Sequence, residues 1–177
     1  TKHGSMKQSA LDQARIAIAE NREWTEYLNE NLFQPPPAVS AHLGVFVEPY
    51  LSYVLDGTKT IESRFSLNQC DPFGSVTKGD IVLIKEAAGP IVGLCRVSMV
   101  WSYVLDPETL TEIRSLFEPA MRVESDSFWA ERTDAAYATL MQIKHVTRIH
   151  PYTIEKKDRR GWVVLKRRSR QLMLWDE

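Results

Sequence analysis

Two cysteines, four histidines and no long apolar run narrow this 177-residue chain before any motif is read. Cys70 and Cys95 are too few for a disulfide framework, and their spacing fits no metal pattern. Free thiols in a chain without the layout of a secretory leader point to a reducing compartment, so a cytoplasmic protein is expected. Cys95 lies in the apolar stretch Val92 to Val100 and is expected in the core, whereas Cys70 falls in a loop. His145 and His150 have no cysteine near them and read, like His42, as ordinary core or surface histidines; no metal and no cofactor are expected. No apolar stretch approaches the roughly 20 residues that span a bilayer, so no membrane partner is expected. Repeats are absent, the three consecutive prolines are the one low-complexity feature, and no nucleophile-elbow pattern occurs.

What is present is ordinary in amount and uneven in placement. An apolar share of 44% with 25% charged residues is that of a globular protein with one real core, hence one domain and an appendage. The net charge is −1, but residues 155–170 hold eight basic residues against two acidic ones, which is +6 and leaves −7 for the rest. Such a run is either a footprint for phosphate or a solvated basic face.

Thr1 to Ser5 resembles an expression-tag remnant and is set apart from fold reasoning. Residues 6–34 read as an N-terminal helical appendage, opened by Ser9 and Asp12, with Leu11, Ala14, Ile18, Leu28 and Leu32 along one stripe. Its role is either to dock a protein partner or to self-associate. Pro35, Pro36 and Pro37 end it, and 35–41 is a stiff linker. From 42 onward the pattern is short strands: His42 to Glu48, then a short helix from Pro49 to Gly57, then Thr58 to Ser66. A loop over 68–78 leads to a hairpin, Asp80 to Glu86 and Pro90 to Trp101, across Ala87-Ala88-Gly89. Helices follow at Asp106 to Glu118, closed by Pro119, and at Ser125 to Arg132 with Phe128 and Trp129 inward. Ala136 to Ile149 and Trp162 to Lys166 are the last strands, and Trp101, Trp129 and Trp162 are expected in the core or over its ends. Hairpin-like connections among five or six strands favour an α+β, mainly β, small mixed barrel with flanking helices over a βαβ fold.

The segment Gly57 to Arg64 sets a glycine turn and charges of both signs among core-forming strands. Alternation places Ile61 and Phe65 on a core side and Glu62 with Arg64 on the other, with Lys59 at the turn. A lysine beside a carboxylate in a partly desolvated cleft suits a base or a phosphate clamp. The plain alternative is an exposed strand face with a weak ion pair, or a Glu62–Arg64 pair that merely holds the cleft open. Tyr50 and Tyr53 on the preceding helix either stack on a base or pack the barrel. Lys85, at the end of a strand, either reaches the cleft or is solvated.

Gly57, Lys59, Glu62 and Arg64, spaced as GxKxxExR, resemble the signature of the ASCH domain (activating signal cointegrator homology), a bacterial-type member of the PUA-like superfamily. Gly79-Asp80 opening a strand and the late Trp162-Val-Val-Leu agree, and the resemblance covers roughly residues 42–166 of an expected 42–177 domain. It implies a PUA-like β-barrel with a cleft lined by the motif, and binding of RNA or a nucleotide, modified bases included. Lys59, Glu62, Arg64, Tyr53 and Lys85 are then the ligand-binding candidates. The alternative it implies is a small metal-independent hydrolase acting on a modified nucleoside or on RNA, with Lys59 and Glu62 catalytic. The family's amidohydrolases carry threonine where this chain has Glu62, which argues against their mechanism here.

Overall fold

The computed structural model describes residues 2–169. Strands β1 (Ala41–Phe46), β2 (Ile61–Ser66), β3 (Ile81–Glu86), β4 (Ile91–Val104), β5 (Tyr137–Tyr152) and β6 (Trp162–Lys166) form one mixed sheet in the order β2-β5-β4-β3-β1-β6. β1 and β3 run parallel and the remaining neighbours antiparallel. β4 and β5 pair along most of their length, and the sheet forms a half-barrel whose edges are β2 and β6.

β3 shows why these residues make these strands. Ile81, Val82, Leu83 and Ile84 are all buried, the continuous apolar run of a strand covered on both faces. Period-2 alternation divides them: Ile81 and Leu83 face an outer cluster, Val82 and Ile84 the barrel interior with Phe46, Cys95, Met141 and Trp162. Burial pushes the Cys95 thiol up to about 12, so it is an inert core group, while Cys70 is exposed.

The outer cluster corrects the N-terminal reading. Two helices, α1 (Lys2–Ala17) and α2 (Arg22–Leu28), and a π-helical turn (Asn29–Phe33) stand where one helix was expected. Ser9 is inside α1, where its hydroxyl accepts from Gln13, and Asn21 is the residue that caps α2, taking the Trp24 N–H. The stripe itself is as expected: Leu11, Ala14, Ile18, Leu28 and Leu32 are buried, but against Leu43, Leu83, Leu94 and Val163 of the sheet. The Trp24 indole donates to Thr147 on β5, and the Tyr27 hydroxyl to the Gly79 carbonyl. This segment is a layer of the fold, because its apolar stripe covers a sheet face that would otherwise meet water.

Three further helices complete the chain: α3 (Tyr50–Leu55), α4 (Pro107–Met121) and α5 (Asp126–Ala130). α4 passes through Pro119 rather than stopping before it, and ends at Arg122 in the left-handed region (φ 57). Proline in a last turn forfeits a hydrogen bond, but the extra residues bury Met121 completely. Together α4 and α5 press Ile113, Met121, Phe128 and Trp129 onto Ile61, Ala138 and Leu140. None of the described helices is long and apolar enough to cross a membrane.

A buried polar chain ties β1, the start of β3 and β6 together. Asp80 accepts from the backbone of Ser40 and Thr77, from His42 Nε2 at 2.8 Å and from Arg168 at 2.6 and 2.7 Å. The Trp162 indole donates to His42 Nδ1 at 3.0 Å; since an indole can only donate, Nε2 carries the His42 proton. His42, read as ordinary from sequence, is the central link of this network. Burial pushes the Asp80 carboxyl up, but the hydrogen bonds from His42 and Arg168 outweigh it and hold the group below the usual carboxylate range.

Candidate functional site

Gly57 follows the last turn of α3 with φ +83, a conformation open to glycine and strained for any other residue here. The turn it makes is fixed by Asp56, which accepts from the Thr58 backbone, and by the Lys59 N–H on the Tyr53 carbonyl. Thr60 then donates to the Ala120 carbonyl and accepts from Ile143. Lys59 is thereby pinned between the ends of α3 and α4. Its side chain is 3% exposed, with Nζ 2.7 Å from the Met121 carbonyl and 5.1 Å from the centre of the Tyr50 ring. One of three ammonium donors thus serves the C-terminus of α4; the other two have no protein acceptor among the described residues. Burial pushes the amine below its ordinary range; nearby Glu62 opposes that, and Arg64 and Arg132 add to it.

Glu62 is 7% exposed and takes the N–H of Ser63 on Oε1 at 2.8 Å. β2 is an edge strand, so part of its backbone has no neighbouring strand, and the carboxylate satisfies one such donor. Arg64 does other work. Its Nη2 reaches the Val45 carbonyl at 2.9 Å and its Nη1 the Gly161 carbonyl at 3.0 Å, across the seam of the half-barrel. Its guanidinium stands 4.9 Å from the centre of the Phe46 ring and 5.1 Å from that of Trp162, while Glu62 is 3.8 Å away. Arg64 is a clasp joining β2 to β1 and to the start of β6, and its donors are largely engaged.

A cavity of about 690 Å³ opens over the edge of β2. Lys59, Glu62 and Ser63 form its floor, Tyr50, Phe65 and Phe128 an aromatic wall, and Val47 and Leu67 its rim. Arg132 enters from the turn after α5, its guanidinium 3.5 Å above the Phe128 ring and Nη1 on the Phe128 carbonyl. Desolvation lowers its pKa, and the neighbouring Tyr50, Glu131 and Glu62 oppose that. The Tyr50 hydroxyl is pushed up by burial, an effect Arg132 moderates. Lys59, Arg64 and Arg132 face Glu62, Glu131 and Asp134, so the lining is balanced in charge. A smaller cavity of about 200 Å³ adjoins it, sharing Arg64, Phe65 and Ser66.

The other candidates lie elsewhere. Tyr53 is outside the cleft with Arg122 stacked 3.7 Å over its ring, and Lys85 donates to the Glu86 carbonyl and does not line the cleft. Four members of the basic run are matched internally, and the exposed Lys157 and Arg159 are not among them: Lys156 and Arg160 pair with Asp158, Arg167 stands 3.6 Å from Asp71, and Arg168 is bound to Asp80. Arg170 lies outside the described residues. Arg132 was not singled out from sequence, although its four-residue spacing from Phe128 on a short helix is the signal of an arginine laid over an aromatic ring. Among the described residues no group of three His, Cys, Asp or Glu stands close enough to hold a metal ion.

No family model and no curated protein matches the chain in sequence. Solved structures do match in shape. The ASCH protein from Zymomonas mobilis superposes with a TM-score of 0.57 at 10% identity, covering 76% of this chain and 94% of that one. A serine-to-alanine variant of the same protein gives the same values, and a tyrosine-to-phenylalanine variant gives 0.56 over 76% and 96%. At that identity the likeness concerns the fold, and it covers most of both chains. The half-barrel of this protein, with a short helix feeding its edge strand β2, is the ASCH fold.

Proposed function

We propose that this ASCH-fold protein binds RNA or a nucleotide, seating one base in the cleft over β2. The observation that carries the reading is the burial of two opposite charges, Lys59 and Glu62, in the wall of an open cavity, with two Lys59 donors unused. A base edge presents both carbonyl acceptors and amine donors; the ammonium suits the first and the carboxylate the second. Tyr50, Phe65 and Phe128 supply ring surface for a base, and the volume falls in the roughly 300–1,000 Å³ range of ligand sites. Arg132 is the cation of the cleft lining placed to meet a phosphate, since Arg64 is engaged across the seam.

Fluorescence anisotropy with a labelled RNA tetranucleotide tests this. Lys59→Met and Arg132→Ala are each expected to weaken binding at least tenfold in folded protein. With a single phosphate contact from Arg132, log K against log salt is expected to have a slope of roughly −0.7. Unchanged affinity in both variants would remove the cleft from consideration.

A second reading, hydrolysis of RNA or of a modified nucleoside, draws on one observation: burial lowers the Lys59 amine toward the range where it accepts a proton. Lys59 would take the proton of an attacking water that Glu62 orients. Turnover with an acidic limb that shifts in Glu62→Gln protein and vanishes in Lys59→Met would support it; turnover indifferent to both would exclude it.

A further inference from the structure

β4 outruns one of its two neighbours. Its register with β3 ends at Arg96, and the last bonds on that side join Val97 to Gly79 and Asp80. Beyond that point only β5 pairs with it, in unbroken register from Met99 to Val104. Among the described residues nothing but β5 bonds to the backbone of residues 98–104. The flank that β3 has left is therefore an open strand edge, a row of N–H and C=O groups that a further strand can take.

Proteins blunt such edges with lysine, proline, a bulge or a covering element. Residues 97–105 contain no charged residue, no proline and no glycine, and the register shifts of β4 all lie before Met99. The surface beside the edge is apolar as well. Met99 is 48% exposed and Val104 70%, and Leu116 of α4 is 61% exposed next to Phe117, whose ring packs 5.0 Å from that of Trp101.

The edge also matches itself. Residues 98–104 are centred on Trp101, so a second copy laid antiparallel with full overlap sets Trp101 against its twin, Met99 against Tyr103, and Val100 against Ser102. No charge opposes its like. Arg96 and Asp106 stand five residues either side of Trp101, so each end of the pairing brings Arg96 of one copy toward Asp106 of the other. A two-fold axis normal to the sheet generates this pairing and keeps the α4 helices of both copies on one face. A foreign strand would need neither the apolar matches nor the end charges to be symmetric about one residue.

We propose that the open edge of β4, residues 98–104, is where two copies of this chain pair, antiparallel about Trp101, into one continuous sheet. The inference stands apart from the nucleotide reading. It joins β2-β5-β4 of one copy to β4-β5-β2 of the other, so the two clefts lie at the outer ends of the joined strands.

Sedimentation equilibrium of the full chain tests this, together with hydrogen exchange of residues 98–104 read by mass spectrometry. The unaltered protein is expected to sediment as a dimer at high micromolar concentration, and the amides of 98–104 to exchange more slowly as concentration rises. Met99→Lys and Val104→Lys each set a charge on the pairing edge and are expected to raise the dimer dissociation constant at least tenfold while keeping the unfolding transition; either serves if the other fails to fold. Met99→Leu is expected to leave the dimer intact. A monomeric unaltered protein would overturn the proposal, whether 98–104 exchange fast, with the edge bare, or slowly at every concentration, with another strand in place. A dimer that both lysine variants leave untouched would overturn it too, since the copies would then meet elsewhere.

Discussion

Lys59 stands where two stability terms oppose each other. Its ammonium caps the end of α4 through the Met121 carbonyl, a charged hydrogen bond of about 1.5–3 kcal/mol, but it does so almost wholly out of water. Taking that charge from solvent costs several kcal/mol, which is why burial lowers its pKa. A folded-state pKa below the unfolded one means the unfolded chain binds more protons, so Lys59 subtracts stability at neutral pH and ceases to do so as pH rises toward the unfolded lysine range near 10. Lys59→Met is therefore expected to change unfolding free energy by no more than about 1 kcal/mol in either direction, measured by urea titration at pH 7. A loss above about 3 kcal/mol would mark Lys59 as a helix cap and nothing more. Arg64 gives the opposite expectation. Arg64→Lys keeps the charge but loses the planar fork that serves the Val45 and Gly161 carbonyls together beside the Phe46 and Trp162 rings, so a loss of about 2 kcal/mol is expected, visible in the same titration. The charged face of the motif was legible at this scale because alternation separates Glu62 from Ile61. The division of labour between Lys59, toward the cleft, and Arg64, toward the seam, was not, because it depends on Val45 and Gly161, distant in sequence.

Elements were legible where a local rule decided them. β6 coincides with the apolar run Trp162 to Lys166, and the β3–β4 hairpin turns at the small residues that separate its strands. Local rules failed where a distant partner outweighed them. Pro119 marks a helix end by its own chemistry, yet α4 continues because Met121 fills the core beneath Ile61. The N-terminal segment gave its buried stripe correctly but not what the stripe covers, since a sheet face built from strands further along the chain is invisible to periodicity. Trp24 tests that assignment. It is buried, and its indole ties α2 to β5. Trp24→Ala is expected to lower stability by about 3–5 kcal/mol, and truncation of residues 1–34 to leave a chain without a cooperative unfolding transition. Thermal unfolding followed by tryptophan fluorescence reads the first and calorimetry the second; a truncated chain that melts sharply would restore the segment to the standing of an appendage.

Across the whole molecule, the half-barrel is open between β2 and β6, and Arg64 bridges that opening. The chain Trp162–His42–Asp80–Arg168 ties β6 to β1 and to the start of β3 on one side of it, and meets Arg64 at the Trp162 ring. Removing the central carboxylate by Asp80→Asn leaves Arg168 without its partner and is expected to cost about 3–5 kcal/mol. The pH dependence has a definite sign. Asp80 is held below the unfolded carboxylate value, so its contribution is complete above about pH 4 and is lost as pH falls from there through the folded-state value. Unfolding free energy measured between pH 3 and 6 should fall toward acid in the unaltered protein and fall less steeply in Asp80→Asn; equal slopes would remove Asp80 from the acid limb. The Arg64 clasp joins both edges of the seam and lines the cleft, which ties the fold to the site. Cross-linking is the most direct test of that site: irradiate the protein with a 4-thiouridine-bearing RNA tetranucleotide and locate the adducts by mass spectrometry. Adducts on Tyr50, Phe65 or Phe128, lost in Lys59→Met protein, are the expected result. Adducts confined to the exposed basic loop at 157–160, with none in the cleft, would contradict the account.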